Sequence, residues 1–237
     1  MSFDEHYFST HTYKDVSFSK YSQYWWSNRF YAVLARRYGK RGSRLLEIGA
    51  GLGHLAGQLE AEFQTCAIDI NRWAVGVSRF NARHTWHQAA SAQELPYRDG
   101  VFGIVIIKHI IEHLTNPGQA ILEIARVTKS TGILILATPN LDSLLKPLKR
   151  EKWIGYLDPT HISLKTPAEW LSLVRDAGFH PLKIFSDGFW DVPYISIIPK
   201  QIQKLFFGSL GGLQAMSGLI FLPLRWGESF IVIARRN

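Results

Sequence analysis

The chain has almost no sulfur: one cysteine, Cys66, and two methionines among 237 residues. A single cysteine excludes an internal disulfide framework and the zinc sites built from several cysteines. Charge is sparse as well. Charged residues make up 19% and apolar residues 46% of the chain, which excludes an intrinsically disordered protein. Met1 to Lys20 contain no apolar run, so they do not read as a secretory signal. There is no internal repeat and no low-complexity tract. His6, His11, His54, His84, His87 and His180 form no metal-ligand spacing, and no metal is expected.

What is present is an excess of positive charge, +8 in all, and it is unevenly placed. Residues 1–41 carry seven Lys/Arg against three Asp/Glu, residues 42–138 eight against eight, and residues 139–237 twelve against eight. The surplus lies in the two flanks. Any attraction to phosphate, anionic lipid or acidic substrate belongs there.

Between the flanks, apolar runs alternate with helical patterns. Strands are expected at Arg44–Ile48, Thr65–Asp69, weakly at Thr85–Gln88, and most strongly at Val101–Ile107 and Gly132–Ala137. Helices are expected at Leu55–Phe63 and Arg72–Asn81, and a further helix opens at Asn116-Pro117, a cap followed by a proline that needs no N–H. Thr166-Pro167-Ala168-Glu169 is a capping box, and Gly178 suits the end of its helix. Strands at Pro181–Phe185 and Ser229–Arg235 follow. Continuous apolar strands separated by helices imply a parallel sheet covered on both faces.

Glu47-Ile48-Gly49-Ala50-Gly51-Leu52-Gly53 joins the first strand to the first of these helices. Glycines there let the backbone turn and a ligand approach, and the helix start offers free N–H groups. Asp69, ending the next strand, is placed to accept ribose hydroxyls. A dinucleotide fingerprint would need glycine at 54, where His54 stands. Glu47 would repel a pyrophosphate and suits a cationic ligand, such as the amino group of S-adenosylmethionine.

With these residues the sequence resembles the class I S-adenosylmethionine-dependent methyltransferases, and among them the small-molecule branch that includes quinone-biosynthesis methyltransferases. The resemblance covers about Leu45 to Phe179 and, more loosely, Glu228 to Arg236. It rests on Leu45–Gly53, Ala67–Ile70, Ser91–Tyr97, Glu112–Pro117 and Arg126–Asn140 in that order. It implies an α/β doubly wound, seven-stranded, mostly parallel sheet with an antiparallel last strand. It implies S-adenosylmethionine as cofactor, held by Glu47, Gly49, Ala50, Gly51, Gly53, Asp69, Ile70, Ser91, Ala92 and Lys108. Two positions depart from the pattern: Ser91 and Gly103 stand where aspartates are usual.

The resemblance also places the acceptor beside the loops after the fourth and fifth strands. Histidine is the natural base near neutral pH. The candidates there are His161 first, then His109, with His113 equally suited to a structural hydrogen bond.

The flanks complete the expectation. Residues 1–41 read as an aromatic helical lid, 42–188 and 228–237 as the core, and 189–227 as an apolar insertion. Leu205 to Leu224 is twenty residues without a charge, long enough for a bilayer, but strands on both sides must join one sheet, so it does not span. A hydrophobic cap over an apolar acceptor is the preferred reading. Peripheral membrane contact through 190–227, with Lys200, Lys204 and Arg225 near headgroups, and an apolar dimer face are the alternatives. The expected function is therefore cytoplasmic methyl transfer to a hydroxyl or carbon of a small or lipid-like acceptor. A nucleic-acid substrate is disfavoured because no nucleic-acid module is appended; a degenerate, non-catalytic partner subunit is the other alternative. The oligomeric state is not readable.

Overall fold

The computed structural model describes residues 16–189 and 192–237. His6, His11 and the first part of the expected lid lie outside them. In chain order the main elements are α1 (Gln23–Tyr38), β1 (Arg44–Ile48), α2 (His54–Leu59), β2 (Gln64–Asp69), α3 (Arg72–Asn81), β3 (Trp86–Ala89) and β4 (Phe102–Lys108). There follow α4 (Pro117–Val127), β5 (Thr128–Pro139), the short α5 (Lys146–Lys149) and α6 (Ile154–Leu157), then α7 (Pro167–Asp176), β6 (Phe179–Asp187), α8 (Lys200–Ser217) and β7 (Ser229–Arg236).

One seven-stranded sheet runs in the order β3-β2-β1-β4-β5-β7-β6. The pairings from β3 through β5 are parallel, and β7 lies antiparallel between β5 and β6. Alternate residues of each central strand serve opposite faces. Val105 and Ile107 of β4 join Leu134, Leu136, Trp170 and Val232 on one side, under α4 and α7. Ile104 and Ile106 join Leu45, Ile135, Phe30, Leu34 and Leu59 on the other, under α1 and α2. Burying each such side chain is worth roughly 1.5–3 kcal/mol, which is what fixes the register.

The local signals read from the sequence act as expected. Asn116 Oδ1 accepts from Gln119 N–H at 3.1 Å, with Pro117 in the first turn. Thr166 and Glu169 close a reciprocal capping box. Gly178 has φ +83°, the left-handed end of α7.

The described part of the apolar insertion carries one long helix, α8. It is seated across α1, with Arg37 Nη1 donating to Gly218 O at 2.7 Å. β6 ends at Asp187 and β7 begins at Ser229, both level with Pro139 at the end of β5, so the insertion leaves the sheet at the edge that carries the glycine loop and packs on α1 from there. No described helix is long and apolar enough to cross a membrane.

Candidate active site

The site begins where β1 gives way to the glycine loop. Gly49 has φ +72°, and a Cβ there would come 2.2 Å from Ile110 Cγ1, so only glycine lets the loop lie against the strand β4 exit. Asp69 locks the loop from the neighbouring strand. Its Oδ2 accepts from Gly51 N–H and its Oδ1 from Asn71 N–H, both at 2.9 Å. Each carboxylate oxygen keeps a second lone pair for a ligand. Burial raises the Asp69 carboxyl above its ordinary value, against the opposing pull of those N–H groups.

Above the loop lies a cavity of about 530 Å³. Glu47, Gly49, Ala50, Gly51, Asp69, Ile70, Ser91, Ala92 and Lys108 all line it, as do His109 and His113. Gly53 does not. It caps α2 in a left-handed conformation against Ser78, a role in shaping the loop. His161 does not line it either, and neither does any described residue of 192–227. The third wall comes from α1, through Tyr24, Ser27 and Asn28. The same helix buries Phe30, Tyr31 and Leu34 in the core.

Two buried groups of opposite sign face this cavity. Burial pushes the Glu47 carboxyl from 4.5 up to about 8, with Lys108 pulling the other way, and Glu47 Oε2 has no hydrogen-bond partner. Burial likewise brings the Lys108 ammonium down to about 8. Lys108 Nζ donates to Asn28 Oδ1 at 2.8 Å and Ser27 Oγ at 3.1 Å, and sits 4.9 Å from the centre of the Tyr31 ring. The Tyr31 hydroxyl donates to Asp187 Oδ2 at 3.1 Å, and burial pushes that phenol well above its usual range.

The far end of the cavity is a histidine–carboxylate cluster. His109, at φ +51°, brings Nδ1 to 3.4 Å from Glu112 Oε1. Glu112 is fully buried; burial alone would raise its carboxyl, but His109 and His113 outweigh that and hold it below the ordinary value. It therefore stays anionic beside His109. His113 Nδ1 lies 2.8 Å from Thr160 Oγ1, whose hydroxyl donates to Asp158 Oδ1, so the imidazole N–H points to Thr160 and the lone pair of the neutral ring is on Nε2. Burial, with His161 adding to it, holds His113 below its ordinary value. His161 stands behind it, rings 4.6 Å apart, its Nδ1 bonded to Gly155 O at 2.8 Å. Ligand atoms of Glu112, His113 and His161 lie within 4.8 Å of one another, a grouping of three potential metal donors that sequence spacing did not reveal.

Sequence reasoning missed Tyr24, Ser27 and Asn28 as a wall, and Glu112 and Thr160 as the groups that orient His109 and His113. The only signal for the latter was a carboxylate three residues after His109 and the Asp158-x-Thr160 turn.

A family model described as a methyltransferase domain matches residues 20–184. The chain is 29% identical over 142 residues to an uncharacterized methyltransferase of Bacillus subtilis, a match covering 55% of this chain and 54% of that one. It is 27% identical over 203 residues to the ubiquinone biosynthesis O-methyltransferase of Caulobacter vibrioides, covering 82% and 70%. The chain thus spans about half the length of the first of these relatives. A crystal structure of a Pyrococcus horikoshii protein superposes over the whole of both chains with a TM-score of 0.68 at 18% identity, a likeness of fold. The chain belongs to the class I, S-adenosylmethionine-dependent methyltransferase domain family.

Proposed function

We propose that this chain transfers a methyl group to a hydroxyl of a small, apolar or lipid-like acceptor. The observation that carries the reading is the single cavity with the glycine loop and two carboxylates at one end and His109 paired with buried Glu112 at the other. The name of the Caulobacter relative, an O-methyltransferase of ubiquinone biosynthesis, supports an oxygen acceptor.

The residues present fit S-adenosylmethionine. Glu47 Oε2, buried and without a partner, suits an ammonium, Asp69 suits a pair of hydroxyls, and Ile70, 64% exposed with Ala92 near it, offers an apolar surface to a base. When bound, that cofactor supplies a methyl group already attached to a good leaving group, a sulfonium sulfur.

The protein's own work is to position and to deprotonate. Walls from α1 and the glycine loop hold an acceptor in line, an effect that can account for about 7–11 kcal/mol of barrier. His109 is the candidate base: its Nδ1 lies 3.4 Å from Glu112 Oε1, whose charge stabilises the imidazolium formed, and its Nε2, 3.4 Å from Ser229 Oγ, takes the hydroxyl proton in exchange for that contact. His113 lines the cavity beside it, and His161 supports His113 from behind.

Calorimetry with S-adenosylmethionine on the wild type and on Asp69→Ala, followed by mass spectrometry of a quinol, phenol and lipid acceptor panel, tests this reading. Micromolar binding lost in the variant and a mass gain of one methyl on an acceptor oxygen support it. A folded wild type that binds no S-adenosylmethionine at millimolar concentration refutes it.

A further inference from the structure

Helix α8 is turned the wrong way round for a surface washed by water. Its inward side sets two polar side chains beside Gly211, Ala215 and the half-buried Phe207. Gln203 and Gln214 are each 1% exposed, and Gln203 is tied to four backbone groups: it accepts from Tyr194 and Ile195 N–H and donates to Ile195 and Ile198 carbonyls. Gln214 donates to Ser186 O at 3.1 Å. Its outward side, at spacings of three and four, carries Ile202, Leu205, Phe206, Leu210, Leu213 and Met216, all exposed, Leu205 by 77% and Phe206 by 70%. A helix on the surface of a water-soluble domain normally turns its stripe of large apolar side chains inward. The inward glutamines are fixed by definite hydrogen bonds, so the helix is not simply rotated out of register; its apolar face is built to be outside.

Charge selects what lies against that face. Described residues 192–227 include Lys200, Lys204 and Arg225 and no acidic residue. The segment 143–157 lies alongside, with Leu144 N–H donating to Arg225 O at 2.9 Å and Leu145 packed on the cluster of Phe189, Val192, Tyr194 and Leu222. It adds Lys146, Lys149, Arg150 and Lys152 against the single Glu151, and it too exposes Leu144 and Leu148. A second copy of the same face would set these cations against one another. An anionic bilayer answers both features at once, apolar side chains entering the acyl boundary and cations meeting headgroups. Both ends of α8 return to neighbouring strands of one sheet, so the helix lies in the plane of the surface.

We propose that α8, flanked by the basic 143–157 segment, docks this domain onto an anionic membrane surface. The docking does not depend on the methyl-transfer reading, and either can fail alone.

The test is co-sedimentation of the full chain with phosphatidylcholine vesicles and with vesicles of phosphatidylcholine and phosphatidylglycerol. The wild type is expected to bind the second and not the first. Leu205→Glu combined with Phe206→Glu abolishes binding, and Lys200→Gln with Lys204→Gln weakens it by on the order of tenfold or more. Circular dichroism and S-adenosylmethionine titration check that these variants are folded, since all four side chains lie outside the 530 Å³ cavity. A wild type that ignores anionic vesicles overturns the proposal, as does binding that survives the double glutamate variant. A concentration-dependent dimer dissolved by that variant, without vesicle binding, assigns the face to a second copy instead.

Discussion

Lys108 Nζ donates to Asn28 Oδ1 across 2.8 Å, and that bond ties the end of β4 to the inner side of α1. The strand end carries the chemistry and the helix carries the wall. Replacing the ammonium by an isosteric thioether separates them: Lys108→Met is expected to raise amide hydrogen exchange over residues 23–31 and to weaken S-adenosylmethionine binding by about tenfold, the worth of one charged hydrogen bond. Global stability changes little, because burial already disfavours the charged lysine. Unchanged exchange in α1 would show that the helix holds its place by core packing alone.

Glu47 sets stability against binding. Its carboxyl has an ordinary value of 4.5 and about 8 in the fold, so between those pH values the folded chain keeps a proton that the unfolded chain has lost. Stability therefore falls as pH rises through that window. Glu47→Gln removes the loss: it is expected to stabilise the ligand-free protein by about 1–3 kcal/mol at pH 8.5, with the gain vanishing near pH 4. The same change costs S-adenosylmethionine affinity. Thermal melts across pH with matched calorimetry measure both halves, and a variant less stable than wild type at pH 8.5 contradicts the first.

His109→Gln is expected to lower kcat by about 100- to 10,000-fold while leaving cofactor affinity unchanged. His161→Gln, removed from the cavity wall, causes a far smaller loss. Equal losses from both variants would move the base to the His113–His161 pair.

Activity is expected to survive exhaustive dialysis against a chelator. The measurement is a turnover assay before and after treatment. Loss restored by a divalent cation would instead assign Glu112, His113 and His161 to a metal site.

Gly49→Ala places a Cβ against Ile110 at a φ of +72° and is expected to destabilise the fold by about 2–4 kcal/mol. Urea denaturation reads this directly. A loss near zero would mean that the loop moves as a unit.

Legibility in the sequence followed the range of the forces. Gly49, Gly51 and Asp69 announce themselves because a left-handed backbone and a strand-end carboxylate are demands made within a few residues. The capping residues Asn116 and Thr166 are local in the same sense. His161 reads as the first candidate base in the sequence, and the fold sets it behind His113, a neighbour forty-eight positions away. The wall from Tyr24, Ser27 and Asn28 is equally non-local, since only packing on β4 turns those side chains inward. The uncharged run Leu205–Leu224 was plain, but the helix that forms is Lys200–Ser217, and which side it shows depends on two glutamines finding backbone partners.

The position of β7 has a consequence for the order in which the molecule is completed. It follows every other strand in sequence but lies between β5 and β6. Until β7 pairs, β6 has no strand beside it, so the two ends of the segment that carries α8 are pinned to one another only when the last strand is inserted. The pairing that closes the sheet is therefore also the one that fixes where the apolar helix sits.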